Sequence, residues 1–147
     1  MSRIAEMEGE IKEAMKARDA ERRDALRLIL SSLKSAEKDL QRELTEDEEL
    51  QVLQRERKKR VEAAEAFRSG GREAQAQKEE AELAVLEEFM PEPLTEEELE
   101  RILDDAIAEN GATSMRDMGR VMKDVMPQIA GRADGAAVSQ MLREKLA

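Results

Sequence analysis

The sequence predicts an all-α protein: a bundle of about four helices at the N-terminal end, a proline hinge, and a three-helix domain at the C-terminal end. Three observations predict it. Apolar residues recur every three to four positions through each long segment, the spacing of one helix face. Charged residues make up 41% of the chain and there are three prolines, and the abundant Glu, Arg, Lys, Ala and Leu are strong helix formers. Helix-start signals recur, with a hydroxyl residue followed three positions later by an acid: Thr45 and Glu48, Thr95 and Glu98, Ser114 and Asp117.

Each element follows in order. Residues 1–18 form a first helix with Ile4, Met7, Ile11, Ala14 and Met15 as its apolar stripe. Asp19 is the N-cap candidate of the second, whose stripe is Leu26, Ile29, Leu30, Leu33, Ala36 and Leu40. The Thr45–Glu48 box opens the third, with Leu50, Leu53, Val61, Ala64 and Phe67 on its core face. Ser69-Gly70-Gly71 stops it. The fourth runs from about Arg72 to Met90 and turns Leu83, Leu86 and Phe89 or Met90 inward.

Pro91-Glu92-Pro93 favours an extended connector, so the predicted domains are 1–90 and 91–147. The fifth helix starts at the Thr95–Glu98 box, uses Leu99, Ile102, Leu103, Ala106 and Ile107, and ends at Asn110-Gly111. Ser114 is placed to cap the sixth. Met115, Met118, Met122 and Met126 share one of its faces, and Val121 and Val125 widen it. Pro127 is expected to end this helix, since a proline pushes the residue before it out of the helical region. Gly131 to Gly135 then makes a tight turn, and Asp134 caps a last helix that buries Val138, Met141, Leu142 and Leu146. A helical domain of 57 residues is small, and it is expected to lean on the N-terminal helices.

Composition excludes several chemistries. Without Cys there is no disulfide, thiol nucleophile or zinc–thiolate site, and without His the usual proton shuttle and commonest metal ligand are missing. No metal or cofactor is expected. No P-loop or dinucleotide fingerprint occurs, and the serines lie at caps, in helices or in the Ser69 stop, away from any activating base. No catalytic residue is therefore assigned. No apolar run approaches the ~20 residues that span a bilayer, and Glu6, Glu8 and Glu10 interrupt any signal core. The expectation is a soluble cytoplasmic protein without a membrane partner.

The net charge of −10 is unevenly spread. Residues 111–147 carry six basic and four acidic side chains, so this end is +2 and the rest is −12. Opposing charges further off than roughly 8 Å are screened at physiological salt, so a cationic end can act on a polyanion at short range.

Asp117-Met118-Gly119-Arg120-Val121-Met122, Val125-Met126-Pro127 and Gly131-Arg132-Ala133-Asp134-Gly135 together resemble the tail domain shared by the free-standing YqeY proteins and GatB, the B subunit of tRNA-dependent amidotransferases. Upstream, Arg27-Leu28-Ile29, Arg72 with Lys78-Glu79, and the stretch Leu83 to Pro91 are similar to the YqeY helical region, although the tyrosine ahead of Pro91 is missing. The resemblance covers nearly the whole chain. It implies an all-helical fold and, from the GatB tail, engagement of tRNA.

Three candidate surfaces follow. The Gly131–Asp134–Gly135 turn leads into a helix N-terminus, whose free N–H groups and dipole suit a phosphate, with Arg132 adding a fork of donors. The competing reading is a plain helix–helix turn, since the Asp134 carboxylate takes those N–H groups first. Arg116, Arg120 and Lys123 lie along one helix face and, with Arg132 and Arg143, are placed to track a phosphate backbone. The plain alternative is a solvated face in which Asp117 and Asp124 pair with Arg120 and Lys123. Gly119 inside that helix suits close approach of either an RNA backbone or another helix. Arg55, Arg57, Lys58, Lys59 and Arg60 break the apolar stripe of the third helix. They make either a second phosphate-contacting arm or an intrahelical pairing with nearby glutamates.

The favoured reading is a non-catalytic tRNA-binding module, recognising shape and backbone, because Phe67 and Phe89 both lie on core faces and leave no base-stacking platform. No DNA specificity is expected. The second reading is an adaptor that docks on an amidotransferase or an aminoacyl-tRNA synthetase. The third is an accessory of a carbon–nitrogen ligase that uses glutamine as amido-N-donor, which the resemblance implies and the residue chemistry does not supply.

Overall fold

The computed structural model describes residues 2–147; Met1, the first residue of the expected first helix, lies outside them. Among the described residues there are seven α-helices, one 3-10 turn and no strand: α1 (Arg3–Lys16), α2 (Ala20–Leu40), α3 (Glu46–Ser69), α4 (Glu73–Glu87), α5 (Glu96–Glu109), the 3-10 turn (Met115–Asp117), α6 (Met118–Ile129) and α7 (Gly135–Leu146). They fall into two compact units, Met1–Pro91 and Glu92–Ala147.

In the first unit α3 packs mainly on α4 and α1 on α2. Side-chain caps start the first three helices. Ser2 accepts from Ala5 N–H, Asp19 from Arg22 N–H, and Thr45 and Glu48 form the reciprocal box. The Glu48 carboxyl is held down to about 2, first by Arg42 and then by the Thr45 N–H. The core is Met7, Ile11, Leu26, Ile29, Leu30, Leu33, Val52, Leu53 and Leu86. Burying an aliphatic side chain of this size contributes about 1.5–3 kcal/mol.

Two expected core positions lie exposed instead. Met15 is 53% exposed, because each four-residue step along the Met7–Ile11–Met15 row drifts about 40° around the helix and off the core face. Leu40 is 46% exposed at the last residue of α2, where Gln41 turns the chain with φ of 57°. Val61 and Phe67 are only partly buried.

The interruption of the α3 stripe has a direct cause. Arg60 is itself buried. Its Nη1 donates to Glu56 at 2.9 Å, its Nε lies 3.8 Å from Glu82, and the Ser32 hydroxyl donates to Glu56 at 2.9 Å. This polar cluster joins α2, α3 and α4, and burial pushes the Glu82 carboxyl up. Two further arginines tie the unit together. Arg3 donates to the Phe89 carbonyl at 2.8 Å and lies against the buried Glu49, and Arg22 bridges Glu88 at 2.7 Å and Glu10 at 3.1 Å.

In the second unit α5, α6 and α7 enclose Leu99, Leu103, Ala106, Val121, Val125, Ile129, Val138, Leu142 and Leu146. Two expectations change. The segment after Ser114 is a 3-10 turn, with α6 proper starting at Met118. Pro127 lies inside α6, which continues to Ile129. In the last turn a proline forfeits one intrahelical N–H bond, and the helix ends only where Gly131 adopts φ of 69°.

Replacing Arg60 with alanine leaves Glu56 and Glu82 half-enclosed without their shared cation. The expected loss is about 3 kcal/mol in urea unfolding followed through hydrogen exchange of α3 amides. A loss under about 0.5 kcal/mol would show a cluster worth no more than a solvated surface pair.

Candidate nucleic-acid interface

The orientation of α6 follows from its valines. Val121, Val125 and Ile129 are buried, and Met118, Met122 and Met126 pack partly buried beside them. The methionines therefore flank the core line rather than centre it, and Met115 is 46% exposed. The opposite side carries Gly119, Arg120, Lys123, Asp124, Pro127 and Gln128, with Arg116 in the 3-10 turn leading into it.

Asp117 organises the start of this face. Its Oδ2 accepts from the Thr113 N–H at 2.9 Å and the Ser114 N–H at 3.3 Å, and its Oδ1 accepts from Arg120. The Thr113 N–H, then the Arg120 guanidinium, hold the Asp117 carboxyl below its ordinary range. Arg120 is thus fixed in position, although its side chain stays 59% exposed. The Lys123–Asp124 pair does not form, since adjacent residues point to different sides of a helix, and Asp124 accepts from the Asn110 amide at 2.7 Å. Among the described residues Lys123 and Arg116 extend into solvent without a carboxylate partner, as does Arg143 in the last turn of α7, whereas Lys145 pairs with Asp104 at 2.9 Å.

Gly119 meets nothing. A methyl group built on it would have no atom within 4 Å, so no helix of this unit approaches it. The backbone there is open on the same side as the cations.

Arg132 has a structural task. Its Nε donates to the Glu92 carbonyl at 3.0 Å, its guanidinium lies 3.7 Å from Glu98, and its own carbonyl accepts from the Leu94 N–H at 2.8 Å. The turn after Gly131 is thereby fastened to residues 92–94. Asp134 accepts from the Ala136 N–H, as the capping reading expects, so the α7 N-terminus is already partly satisfied.

The α3 basic run is divided. Arg60 is buried, as described, and so contributes nothing to an outer surface. Arg57 pairs with Glu87 at 3.3 Å and Lys59 with Glu56 at 3.8 Å. Lys58 is also engaged, and Arg55 is exposed. The run breaks the stripe because α4 presents carboxylates to it, a fact α3 alone could not reveal. Among the described residues no three acidic side chains converge as a metal site. No described helix is long and apolar enough to cross a membrane.

The profile of the YqeY-like protein family matches residues 4–146.

The chain belongs to the YqeY-like family.

Three curated relatives place this YqeY-like chain more widely. It is 38% identical over 88 residues to the E subunit of the glutamyl-tRNA(Gln) amidotransferase of Thermococcus gammatolerans, covering 57% of this chain and 14% of that protein. It is 28% identical over 144 residues to altered inheritance of mitochondria protein 41 of Pyrenophora tritici-repentis, covering 96% of this chain and 79% of that protein. It is 35% identical over 80 residues to an uncharacterized protein of Schizosaccharomyces pombe, covering 54% of this chain and 65% of that one. The amidotransferase likeness is thus to a small part of a much longer polypeptide, and to an E subunit where the sequence motifs resemble GatB.

Two outcomes test this geometry in the YqeY-like chain. Gly119→Ala should raise stability by up to about 1 kcal/mol in thermal or urea unfolding, because a helix gains from the exchange and the methyl meets open space. A loss would mean that something packs there. Asp117, with a lowered pKa, stabilises the folded state above its ordinary pKa, and that contribution is lost as pH falls through the lowered one. Asp117→Asn should therefore melt earlier than the parent near neutral pH, with the gap closing on acidification; a gap independent of pH would remove the carboxylate from the account.

Proposed function

We propose that this chain is a non-catalytic RNA-binding module that engages folded tRNA through the outer side of α6, in the setting of tRNA-dependent amide transfer. One observation carries the reading: Arg116, Arg120 and Lys123 face solvent beside the open backbone of Gly119. Two long cations that extend into solvent, with Arg120 held by Asp117 between them, around a bare stretch of helix allow a phosphate backbone to approach closely. Such contacts position an RNA without reading its bases, and no exposed aromatic residue is present for stacking. Arg143 is a further cation of the same kind on α7. Arg132, fastened to residues 92–94, supports the turn instead of reaching for phosphate. Membership of the YqeY-like family and the likeness to part of an amidotransferase named for glutamyl-tRNA(Gln) support tRNA as the polyanion.

The test is a salt titration of binding to a tRNA transcript, parent against the Arg116→Ala, Arg120→Ala, Lys123→Ala triple. Each phosphate contact adds about 0.7–0.9 to the slope of log K against log salt, so the triple should flatten it by about 2 and weaken binding at least about tenfold at low salt. Unchanged binding by a folded triple overturns the assignment. The purified chain is expected to release no ammonia from glutamine; release at an enzymatic rate would overturn the non-catalytic part.

A further inference from the structure

The outward side of α2 carries a second cationic feature, in the unit formed by Met1–Pro91. Arg27, Leu30, Ser31, Lys34, Ser35 and Lys38 line an open trough of about 460 Å³. Their spacing of three and four residues keeps them on one helix side over about 16 Å, at 1.5 Å per residue. The short serines form the floor between three long cations. Ser32, one position off this row, turns inward to Glu56.

Most of this equipment is unspent. Among the described residues Lys38 has no carboxylate partner, and the Arg27 guanidinium makes its one hydrogen bond to the Met15 sulfur at 3.8 Å, with the Asp24 charge nearby. Lys34 pairs with Glu8 at 3.1 Å, but both side chains are about half exposed, and such a pair exchanges readily with solvent or ligand. Asp24 sits near one end, engaged first with Arg23. Glu37 turns away to accept from the Leu44 N–H at 3.2 Å. Ser31 and Ser35 make no hydrogen bond to any described residue.

We infer that this trough is a contact site for the phosphate backbone of RNA, separate from the α6 side. The composition decides between the two occupants that charge allows. Cores of protein–protein interfaces are rich in aromatics and depleted of lysine and serine, whereas this stripe has two lysines, two serines and no aromatic. Arg, Lys and Ser are the side chains that donate to phosphate oxygens. The phosphate chemistry stands on the trough alone, and the choice of RNA rests on the function proposed above.

The experiment compares four full-length proteins in fluorescence anisotropy over a salt series: the parent, the α2 variant (Arg27→Ala, Lys34→Ala, Lys38→Ala), the α6 triple, and the two combined. The probes are a tRNA transcript, a DNA duplex of similar length and a polyglutamate peptide. The α2 variant should weaken RNA binding severalfold and flatten its salt slope by about 2, in the parent and in the α6 triple alike. Ser31→Asp, which leaves every cation in place and puts a carboxylate on the trough floor, should weaken RNA binding as well; it stands in if the α2 variant fails to fold by circular dichroism. If the α2 changes leave RNA binding untouched while the α6 triple loses it, this inference fails and the proposed function stands. Loss with the α2 changes alone supports this site and overturns the α6 assignment. An equal loss for duplex DNA, or a loss confined to polyglutamate, overturns the assignment to RNA, and so does a parent that binds no RNA at low salt.

Discussion

Burial of Val121, Val125 and Ile129 fixes the side of α6 that meets solvent, and the candidate interface depends on that choice. A rotation of α6 by one residue, about 100°, would take the Gly119–Arg120–Lys123 side towards α5 and α7 and expose the valines. Three β-branched side chains on one line suffice because α5 and α7 answer with Leu103 and Leu142, both fully buried. Asp117 then acts at the entrance. By holding two backbone N–H groups of the preceding loop and the Arg120 side chain, one carboxylate sets both where α6 begins and where its first cation sits.

The first unit solves a different problem with charge. With two phenylalanines and no larger aromatic in the chain, its core is built from Leu, Ile, Val, Met and Ala and leaves little apolar bulk for joining four helices. Arg3, Arg22 and Arg60 do the joining instead. Each spans helices that the apolar core also links, and each has a carboxylate or carbonyl at the far side. The buried Arg60 guanidinium is costly to desolvate, so its cluster adds little net stability while loss of one partner leaves the others' charges uncompensated. The unpartnered Nε of Arg60 marks where that desolvation is least repaid.

Local signals in the sequence are legible where a single segment decides them. Asp19, Thr45, Thr95 and Asp134 cap helices in the structure because capping is settled within four residues. The all-helical class and the buried lines of α2, α5 and α7 follow likewise from spacing. What one segment cannot decide is less legible. The inward turn of Arg60 needs Glu82 on another helix, and the bond between Asn110 and Asp124 joins α5 to α6. The turn motif around Arg132 reads as phosphate machinery because its acceptors, the Glu92 carbonyl and Glu98, lie some forty residues away in sequence. The α2 trough gives no local signal because its cations are interleaved with serines and core leucines, whereas the α3 run is contiguous.

An acidic protein that holds a polyanion must do so with few contacts at short range. At physiological salt the screening length is about 8 Å, so the carboxylates that make the chain −10 overall act only on phosphates nearby. On α6 the nearest carboxylates are already committed, Asp117 to the loop and Arg120, Asp124 to Asn110. Under the proposed function, the three cations of this side support modest affinity, and the acidic remainder penalises any polyanion that spreads beyond them. Under that same function, the charge imbalance limits contact to a small footprint and disfavours indiscriminate coating by nucleic acid.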